Sequence, residues 1–508
     1  MVTNEKTAPE CIDLLVIGGG INGAGIARDA AGRGNSVVLV EQADLASATS
    51  SSSTKLIHGG LRYLETFEFR LVREALIERE RLLAIAPHII RPMQFVLPHV
   101  EGLRPRWQIR AGLFLYDHLG GRHRLPASRG VRIAGTAYGA ALDDSIQRGF
   151  AYSDCWVDDS RLVVLNAVDA AERGAKIRTR TRFVSAARNG EYWNVQLHDE
   201  TTRQPTVLRA RAIVNSAGPW VENVLRAVPE AHGGGQVRLV KGSHIVVPRM
   251  YAGAYAFMLQ NPDGRIVFTI PYEDAFTLVG TTDVPFAGDP ARPEIDATEI
   301  AYLCQTVNRY FRKSLSPADV RWSYAGIRPL SDDEERDASK VTRDYKLELS
   351  GARGEAPLLS VFGGKITTYR KLAEAAMQKL QPFIGGTKQG WTDRATLPGG
   401  DIPRGDFEHF LFGVQRRWPF LADSVARRLA HAYGTRISNI LGAAKHMDDL
   451  GRHFGVGLTS AELEYLQAHE WANCAADILW RRTKVGLHMS VEQRAEFTRL
   501  FDDVAPLP

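Results

Sequence analysis

The apolar and polar positions of the first forty residues predict a strand, a helix and a second strand in close succession. Leu14-Leu15-Val16-Ile17 is a short apolar run ending in Gly18-Gly19-Gly20. Ile21 to Gly32 then carries Ala24, Ile26, Ala27, Ala30 and Ala31, a small-residue helix able to lie close against a sheet, and Ser36-Val37-Val38-Leu39-Val40 reads as a second buried strand. From Thr66 to Ala86, Leu71, Val72, Ala75, Leu76, Leu82, Leu83 and Ala86 recur at helical spacing with charges between, and Pro87 stops the run; this predicts a surface helix.

Segments rich in Val, Ile, Phe and Tyr return around 92–98, 192–197, 244–247, 265–271 and 276–280. Ala212-Ile213-Val214-Asn215 and Leu358-Leu359-Ser360-Val361-Phe362 read as fully buried strands, so the middle of the chain is mixed α and β. After the linker-like Gly385 to Gly390, helical periodicity takes over at 420–433, 459–480 and 490–502, with capping boxes expected at Thr459 with Glu462 and at Ser490 with Gln493. The expected division is a discontinuous dinucleotide domain over 9–90, 151–235 and 341–385, a mixed-sheet substrate or cap domain over 91–150 and 236–340, and a helical domain over 386–508.

Length and composition narrow the class. The 508 residues exceed the roughly 250 to 300 at which a single core stops growing, and 44% apolar with 24% charged residues exclude a disordered or collagen-like chain. A net charge of +5 is too mild to argue for nucleic acid, so none is expected as a partner. Four scattered cysteines without a CxxC pair write neither a zinc ribbon nor a dithiol motif, and no metal is expected. The first residues, MVTNEKTAPE, lack an apolar signal core, and no window approaches the ~18 apolar residues of a spanning helix; the expectation is a cytoplasmic protein, at most attached to a membrane face.

Gly18, Gly20 and Gly23 spell GxGxxG between the first strand and its helix, and Glu41 ends the second strand. The glycines permit the tight turn, the approach of a pyrophosphate and close helix packing, while a carboxylate can accept both ribose hydroxyls and disfavours a 2′-phosphate. FAD and NAD both remain on this evidence alone. Ser216-Ala217-Gly218-Pro219-Trp220 and Phe362-Gly363-Gly364-Lys365-Ile366-Thr367-Thr368-Tyr369 are two further glycine turns at strand ends, surplus for NAD but useful to an extended flavin. The first-turn amides of the helix after Gly364 can face the flavin pyrimidine edge, where charge collects on reduction.

Several cations sit where a phosphate ester would need them: Lys55, His58 and Arg62 in KLIHGGLR, whose Gly59-Gly60 pair allows close backbone approach to a ring, and Arg328, Arg343 and Lys365 in short segments bordered by Gly, Pro or Asp. Tyr63 and Thr281 add hydroxyl donors. An alcohol oxidation needs a base of pKa near working pH, and His58 and His244 are both candidates. Arg328 can also stabilise developing charge at the reacting carbon. Residues 104–124 mix five arginines (Arg104, Arg106, Arg110, Arg122 and Arg124) with Trp107, Ile109, Leu113, Phe114, Leu115 and Tyr116, a face suited to anionic lipid.

In IGGGINGAGIARDAAGRG (17–34), TSSSSTKLIHGGLRYLE (49–65), AGIRPL (325–330), TRDYKL (342–347), VFGGKITTYRKLAE (361–374) and DILWRRTK (477–484), the chain resembles the FAD-dependent, aerobic, quinone-linked glycerol-3-phosphate dehydrogenase family, within the wider glycine oxidase and D-amino-acid-oxidase-like flavoproteins. The resemblance implies an α/β fold with a Rossmann-like FAD domain, noncovalent FAD, and oxidation of sn-glycerol 3-phosphate to dihydroxyacetone phosphate with electrons passed to membrane quinone. It implies FAD contacts at Gly18, Gly20, Gly23, Glu41, Thr49, Ser50, Lys55, His58, Gly59, Gly60, Gly218, Gly363, Gly364, Lys365, Ile366 and Thr367. Substrate contacts are expected at Arg62, Tyr63, Thr281, Arg328, Arg343 and Lys365, and catalytic work at Arg328, His58, His244 and Lys365. An oxidase passing electrons to oxygen is the alternative, and a non-catalytic flavin scaffold a remote one. An anionic lipid surface at the inner face of the cytoplasmic membrane is the expected contact, and a homodimer stays open.

Overall fold

The computed structural model describes residues 10–121, 124–230, 237–331, 344–352 and 354–502. The strand Glu10–Ile17 leads through Gly18 into the helix Ile21–Gly32, and Val37–Val40 returns parallel to it with Leu14 opposite Val37 and Ile17 opposite Val40. Pro205–Asn215 lies parallel on the other side and Leu358–Phe362 beyond it. These central strands are apolar on both faces because both are covered: Leu14, Val16, Val37 and Leu39 pack under helices, and Ile12, Leu15, Ile17, Val38 and Val40 against Ala186, Trp193, Val195 and Leu197. Ala24, Ala27 and Ala30 are fully buried, which lets the helices Asp159–Glu172 and Tyr369–Ile384 close onto Ile21–Gly32. The antiparallel hairpin Thr181–Asn189 and Tyr192–Asp199 extends this sheet from Pro205–Asn215.

A second, largely antiparallel sheet carries Val237–Pro248 between Phe276–Gly280 and Trp322–Ser331, and continues through Ile266–Tyr272, Ala256–Gln260, Ile90–Pro98 and Arg148–Val157 to Leu56–Ile57. The expected boundaries at residues 90 and 151 therefore cut across it. Arg148–Val157 pairs along Ile90–Pro98, with Ile90 opposite Val157, and Leu56–Ile57 pairs with Trp156 and Cys155. Hydrophobic alternation marks a strand but not its neighbour, and it is the pairing that assigns these segments.

The helix Phe69–Ile85 is not the surface element its charges suggest. Glu78 and Arg79 are as buried as its leucines, because Glu78 accepts two hydrogen bonds of 2.7 Å from Arg370 and Arg79 donates at 2.8 Å to Asp154. In the C-terminal part, Ser490 and Gln493 form the expected box, the Ser490 N–H donating to Gln493 Oε1 and the Gln493 N–H to Ser490 Oγ. The box at Thr459 does not form: Glu462 instead accepts Arg428 at 2.6 and 2.7 Å and the Tyr433 hydroxyl at 2.7 Å. The helical run expected over 459–480 also breaks, with Ser460–Glu470 ending at Trp471 in the left-handed region and a π-helical turn following at Asp477–Arg482.

This helical part docks on the dinucleotide half through buried charges. Arg482 donates to both Asp44 oxygens at 2.7 and 2.8 Å, Arg161 pairs with Glu470, and Lys484 Nζ reaches Ser160 Oγ at 2.6 Å. Such pairs lose desolvation energy and regain it only through multiple, well-directed hydrogen bonds, which these have.

Candidate active site

A single cavity of about 580 Å³ runs along the C-terminal ends of the parallel strands and on beneath the second sheet. At its first end Gly18 takes φ +108°, and a Cβ there would stand 2.5 Å from the Ser216 carbonyl oxygen, so only glycine makes this turn. The helix Ile21–Gly32 opens behind it without a side-chain cap from Gly20; the Ile21 N–H donates instead to Ser50 Oγ at 3.0 Å. The remaining first-turn amides and the positive helix end form an anion site. Glu41, on the cavity wall, accepts the Gly19 N–H at 2.7 Å and the Ala43 N–H at 2.9 Å, while burial pushes its carboxyl above the usual range. Gly23 serves helix packing, since a Cβ there would meet the Gly18 carbonyl. Thr49 and Ser50 line the wall, and the Thr49 hydroxyl donates to Ile327 O at 2.6 Å, tying this loop to the second sheet.

Gly218 and the run Gly363, Gly364, Lys365, Ile366 and Thr367 line the same cavity further along. The Asn22 amide donates to Gly363 O at 3.2 Å, which joins the turn after Leu358–Phe362 to the first helix. The donor set and the shape of this groove, with an anion site at one end, a ribose-binding carboxylate beside it and exposed turn backbone at the other end, fit an extended dinucleotide such as FAD.

At the far end the second sheet, the loop after Leu56–Ile57 and the turn after Leu358–Phe362 supply the chemistry: His58, Tyr63, His244, Thr281, Arg328 and Lys365 all line the cavity. Arg328 Nη2 donates to Thr281 Oγ1 at 2.9 Å and Nη1 pairs with Asp283. Lys365 Nζ lies 3.5 Å from the centre of the Tyr63 ring, a cation–π contact that holds both side chains at the wall. The His58 N–H donates to Thr367 Oγ1 at 3.2 Å, so the two loops that bracket the site are bonded to each other. His58 is half-buried, whereas His244 is 1% exposed, stacked at 4.8 Å on Tyr324, with Nε2 3.0 Å from Thr54 Oγ1. Burial first, then the charges of Arg328 and Lys55, hold His244 well below the ordinary imidazole value, so it is neutral near pH 7.

Five expected contacts do not line the cavity: Gly23, whose place is against the Gly18 turn, Lys55, Arg62, Gly59 and Gly60. Lys55 does not reach the cavity: its Nζ is buried against Asp159 Oδ1 at 2.7 Å and Ser51 O at 3.0 Å. Arg62 does not line the cavity, nor do Gly59 and Gly60. The Gly59 N–H donates to the Tyr116 hydroxyl at 2.7 Å, and a Cβ at Gly60 would meet the Tyr63 ring, so this pair makes room for packing and not for a cofactor ring. Arg343 lies outside the described residues, as do Arg122 and His123 of the basic segment.

Some functional positions were missed. A Cβ at Gly242 would stand 2.4 Å from Arg328 Nη2, and one at Gly280 2.0 Å from the His244 ring, so the two glycines make the space these side chains fill. The available signal was a glycine inside each of two strand-like runs, KGSHIVV and FTLVG, which marks close approach. Asp283 and Tyr324 carried no local signal.

Comparison with known proteins agrees with this layout. Residues 13–370 match the model of the FAD-dependent oxidoreductases, and 390–505 that of the C-terminal domain of alpha-glycerophosphate oxidase. The chain is 54% identical to a glycerol-3-phosphate dehydrogenase of Pseudomonas aeruginosa, covering 98% of this chain and 96% of that one. It is 51% identical to the aerobic glycerol-3-phosphate dehydrogenase of Escherichia coli K12, over 96% and 97%, and 52% identical to a D-erythritol 1-phosphate dehydrogenase of Brucella abortus, over 97% and 98%. Among solved structures it is similar to a glycerol-3-phosphate dehydrogenase of Bacillus halodurans complexed with FAD, with 28% identity, a TM-score of 0.73 and coverage of 98% and 94%.

Proposed function

The chain belongs to the FAD-dependent glycerol-3-phosphate dehydrogenase family, and from that premise we propose that it oxidises sn-glycerol 3-phosphate to dihydroxyacetone phosphate and passes the electrons to a membrane quinone. The observation that carries the reading is one cavity in which the dinucleotide groove of Gly18 and Glu41 runs directly into Arg328, Lys365, His58 and Thr281. FAD, when bound, supplies the two-electron acceptor for hydride from the secondary carbinol carbon. The chain's own residues do the rest. Arg328 and Lys365 bring positive charge to the phosphate and to the oxygen that becomes a carbonyl, and Thr281 and Tyr63 orient the substrate. His58 takes the hydroxyl proton: it lines the cavity half-buried, whereas the His244 ring is buried, stacked on Tyr324 and engaged by Thr54, and a proton on it would sit beside the Arg328 charge.

Anaerobic stopped-flow tests the donor and the acceptor in turn. Glycerol 3-phosphate should bleach the flavin in a single fast phase, faster at saturation than D-erythritol 1-phosphate, and a soluble quinone should restore the colour faster than oxygen does. Bleaching only by the four-carbon ester would move the substrate to the longer polyol phosphate. Faster recovery with oxygen would favour the oxidase reading, which the family name matched by the helical domain keeps open.

Among the described residues no helix is long and apolar enough to cross a membrane, so a bilayer quinone is reached by surface contact. The helix Arg106–Leu119 fits that contact. It buries Ile109, Leu113 and Tyr116 while leaving Trp107 74% and Phe114 53% exposed one heptad apart, with Leu115, Arg106 and Arg110 exposed beside them. Phe67 and Phe69 stand exposed at the start of the neighbouring helix. Arg104 belongs to the fold, since it pairs with Glu65 and donates to Gln260 Oε1 at 2.9 Å. Binding to anionic vesicles should therefore weaken with salt without vanishing, the arginines contributing about 1 kcal/mol each and the aromatics a salt-resistant part. Trp107→Ser with Phe114→Ser should lower vesicle binding and quinone-coupled turnover and leave anaerobic flavin bleaching unchanged; unaltered vesicle binding would place the contact elsewhere.

A further inference from the structure

We propose that Asp283 is a positioning residue for this oxidation, the carboxylate that sets the plane and reach of the Arg328 guanidinium at the substrate; the inference rests on the reading of Arg328 given above. Arg328 and Thr281 line the cavity, but Asp283 does not: its side chain is 10% exposed and stands behind the guanidinium. Nη1 is held by Asp283 and lies 3.5 Å from Thr282 O, while Nη2 donates to Thr281 Oγ1 at 2.9 Å. The third constraint is Gly242, whose missing Cβ leaves the slot in which Nη2 lies. Two segments, 281–283 and the strand at Gly242, thus fix one planar group in the plane and from one face, which a surface ion pair does not need.

The residue next to Asp283 is itself anchored. The buried Thr282 hydroxyl donates to Glu299 Oε1 at 2.7 Å and accepts the Ser243 N–H at 2.9 Å, and Glu299 Oε2 pairs with Lys241 Nζ at 2.8 Å. Ser243 Oγ also donates to Glu299 at 2.9 Å. This buried polar network grips the backbone from which Asp283 extends, so the carboxylate is a fixed reference and not a flexible counter-ion. An arginine side chain otherwise has large rotamer freedom, and a fork bound along one edge presents its remaining N–H groups in a single direction. A carboxylate close to an anionic substrate opposes binding in the ground state. Its benefit must therefore appear in the rate at saturation, where misplacement of a charge-stabilising group is felt most.

A double-mutant cycle tests this with the FAD-loaded protein. Asp283→Asn keeps the size and an acceptor oxygen but loses the charge, and it should slow anaerobic flavin bleaching by saturating glycerol 3-phosphate about tenfold, the usual scale of coupling between contacting charged groups. In an Arg328→Ala background the same change should cost less than about twofold, because no guanidinium remains to be held. A second readout is independent of turnover: inorganic phosphate, followed by its perturbation of the flavin spectrum, should bind Asp283→Asn at least as tightly as the parent. Should that variant not fold, Asp283→Glu, which displaces the carboxylate by one methylene, should show the rate loss with FAD content unchanged. Equal cost of Asp283→Asn with and without Arg328, or an unchanged rate in both single variants, overturns the proposal. Failure of the parent itself to bleach with glycerol 3-phosphate would instead overturn the functional reading.

Discussion

Arg328→Ala should slow anaerobic flavin bleaching by saturating glycerol 3-phosphate roughly a hundredfold or more while the protein stays yellow. The guanidinium is 24% exposed and faces the cavity shared with His58 and Lys365. Removing it takes a fixed charge out of a poorly hydrated site, a loss typically of ~3 kcal/mol or more in transition-state stabilisation. The cost should fall on the saturated rate, with a smaller change in the concentration needed for saturation. Arg328→Lys should recover part of the rate, because it restores charge without the fork that Asp283 and Thr281 hold. A near-normal saturated rate in Arg328→Ala, with the loss confined to affinity, would reduce this residue to a phosphate anchor.

How much of this site was legible before the structure depended on the sequence span of each part. The dinucleotide turn was readable because its pieces are local: strand, Gly18 to Gly23 and helix follow one another, and Glu41 closes the next strand. The strands at 192–197, 244–247, 265–271 and 276–280 were equally readable, since alternation is a local property. The substrate end is assembled differently. Arg328 and Gly242 lie on strands brought together by antiparallel pairing, Val240 opposite Arg328, and Thr281 and Asp283 lie in the connection that follows Phe276–Gly280, whose Gly280 stands opposite His244. No spacing rule reports such a meeting: Arg328 stood out as a cation in a short segment bordered by Gly and Pro, Thr281 only as a hydroxyl donor, and Asp283 not at all. The same blindness to distant partners explains the errors. Glu462 was expected to cap its own helix but pairs with Arg428, and Lys55 was grouped with His58 by proximity in sequence although its true partner, Asp159, is far along the chain.

That partner decides what Lys55 does, and the expected result of Lys55→Met is a protein less stable by about 3 to 5 kcal/mol, the usual cost of leaving one member of a buried ion pair uncompensated. Lys55 and Asp159 side chains are 1% and 0% exposed. Asp159 also accepts from the Ser53 hydroxyl at 2.7 Å and from the Ser53 N–H at 3.2 Å, and Tyr324 donates to Ser53 O at 2.9 Å. The pair therefore pins the 49–54 loop, whose Thr49, Ser50, Ser52, Ser53 and Thr54 line the cavity. Destabilisation should accordingly appear as earlier release of FAD in a denaturant titration, read by the rise in free-flavin fluorescence alongside the loss of circular dichroism. Because the penalty comes from an unpaired buried carboxylate, adding Asp159→Asn to Lys55→Met should recover a large part of it, a sign opposite to the one expected of two independent losses. A lysine that touched the cofactor directly would behave otherwise: Lys55→Met would shift the flavin spectrum or potential with little change in stability, and Asp159→Asn would rescue nothing.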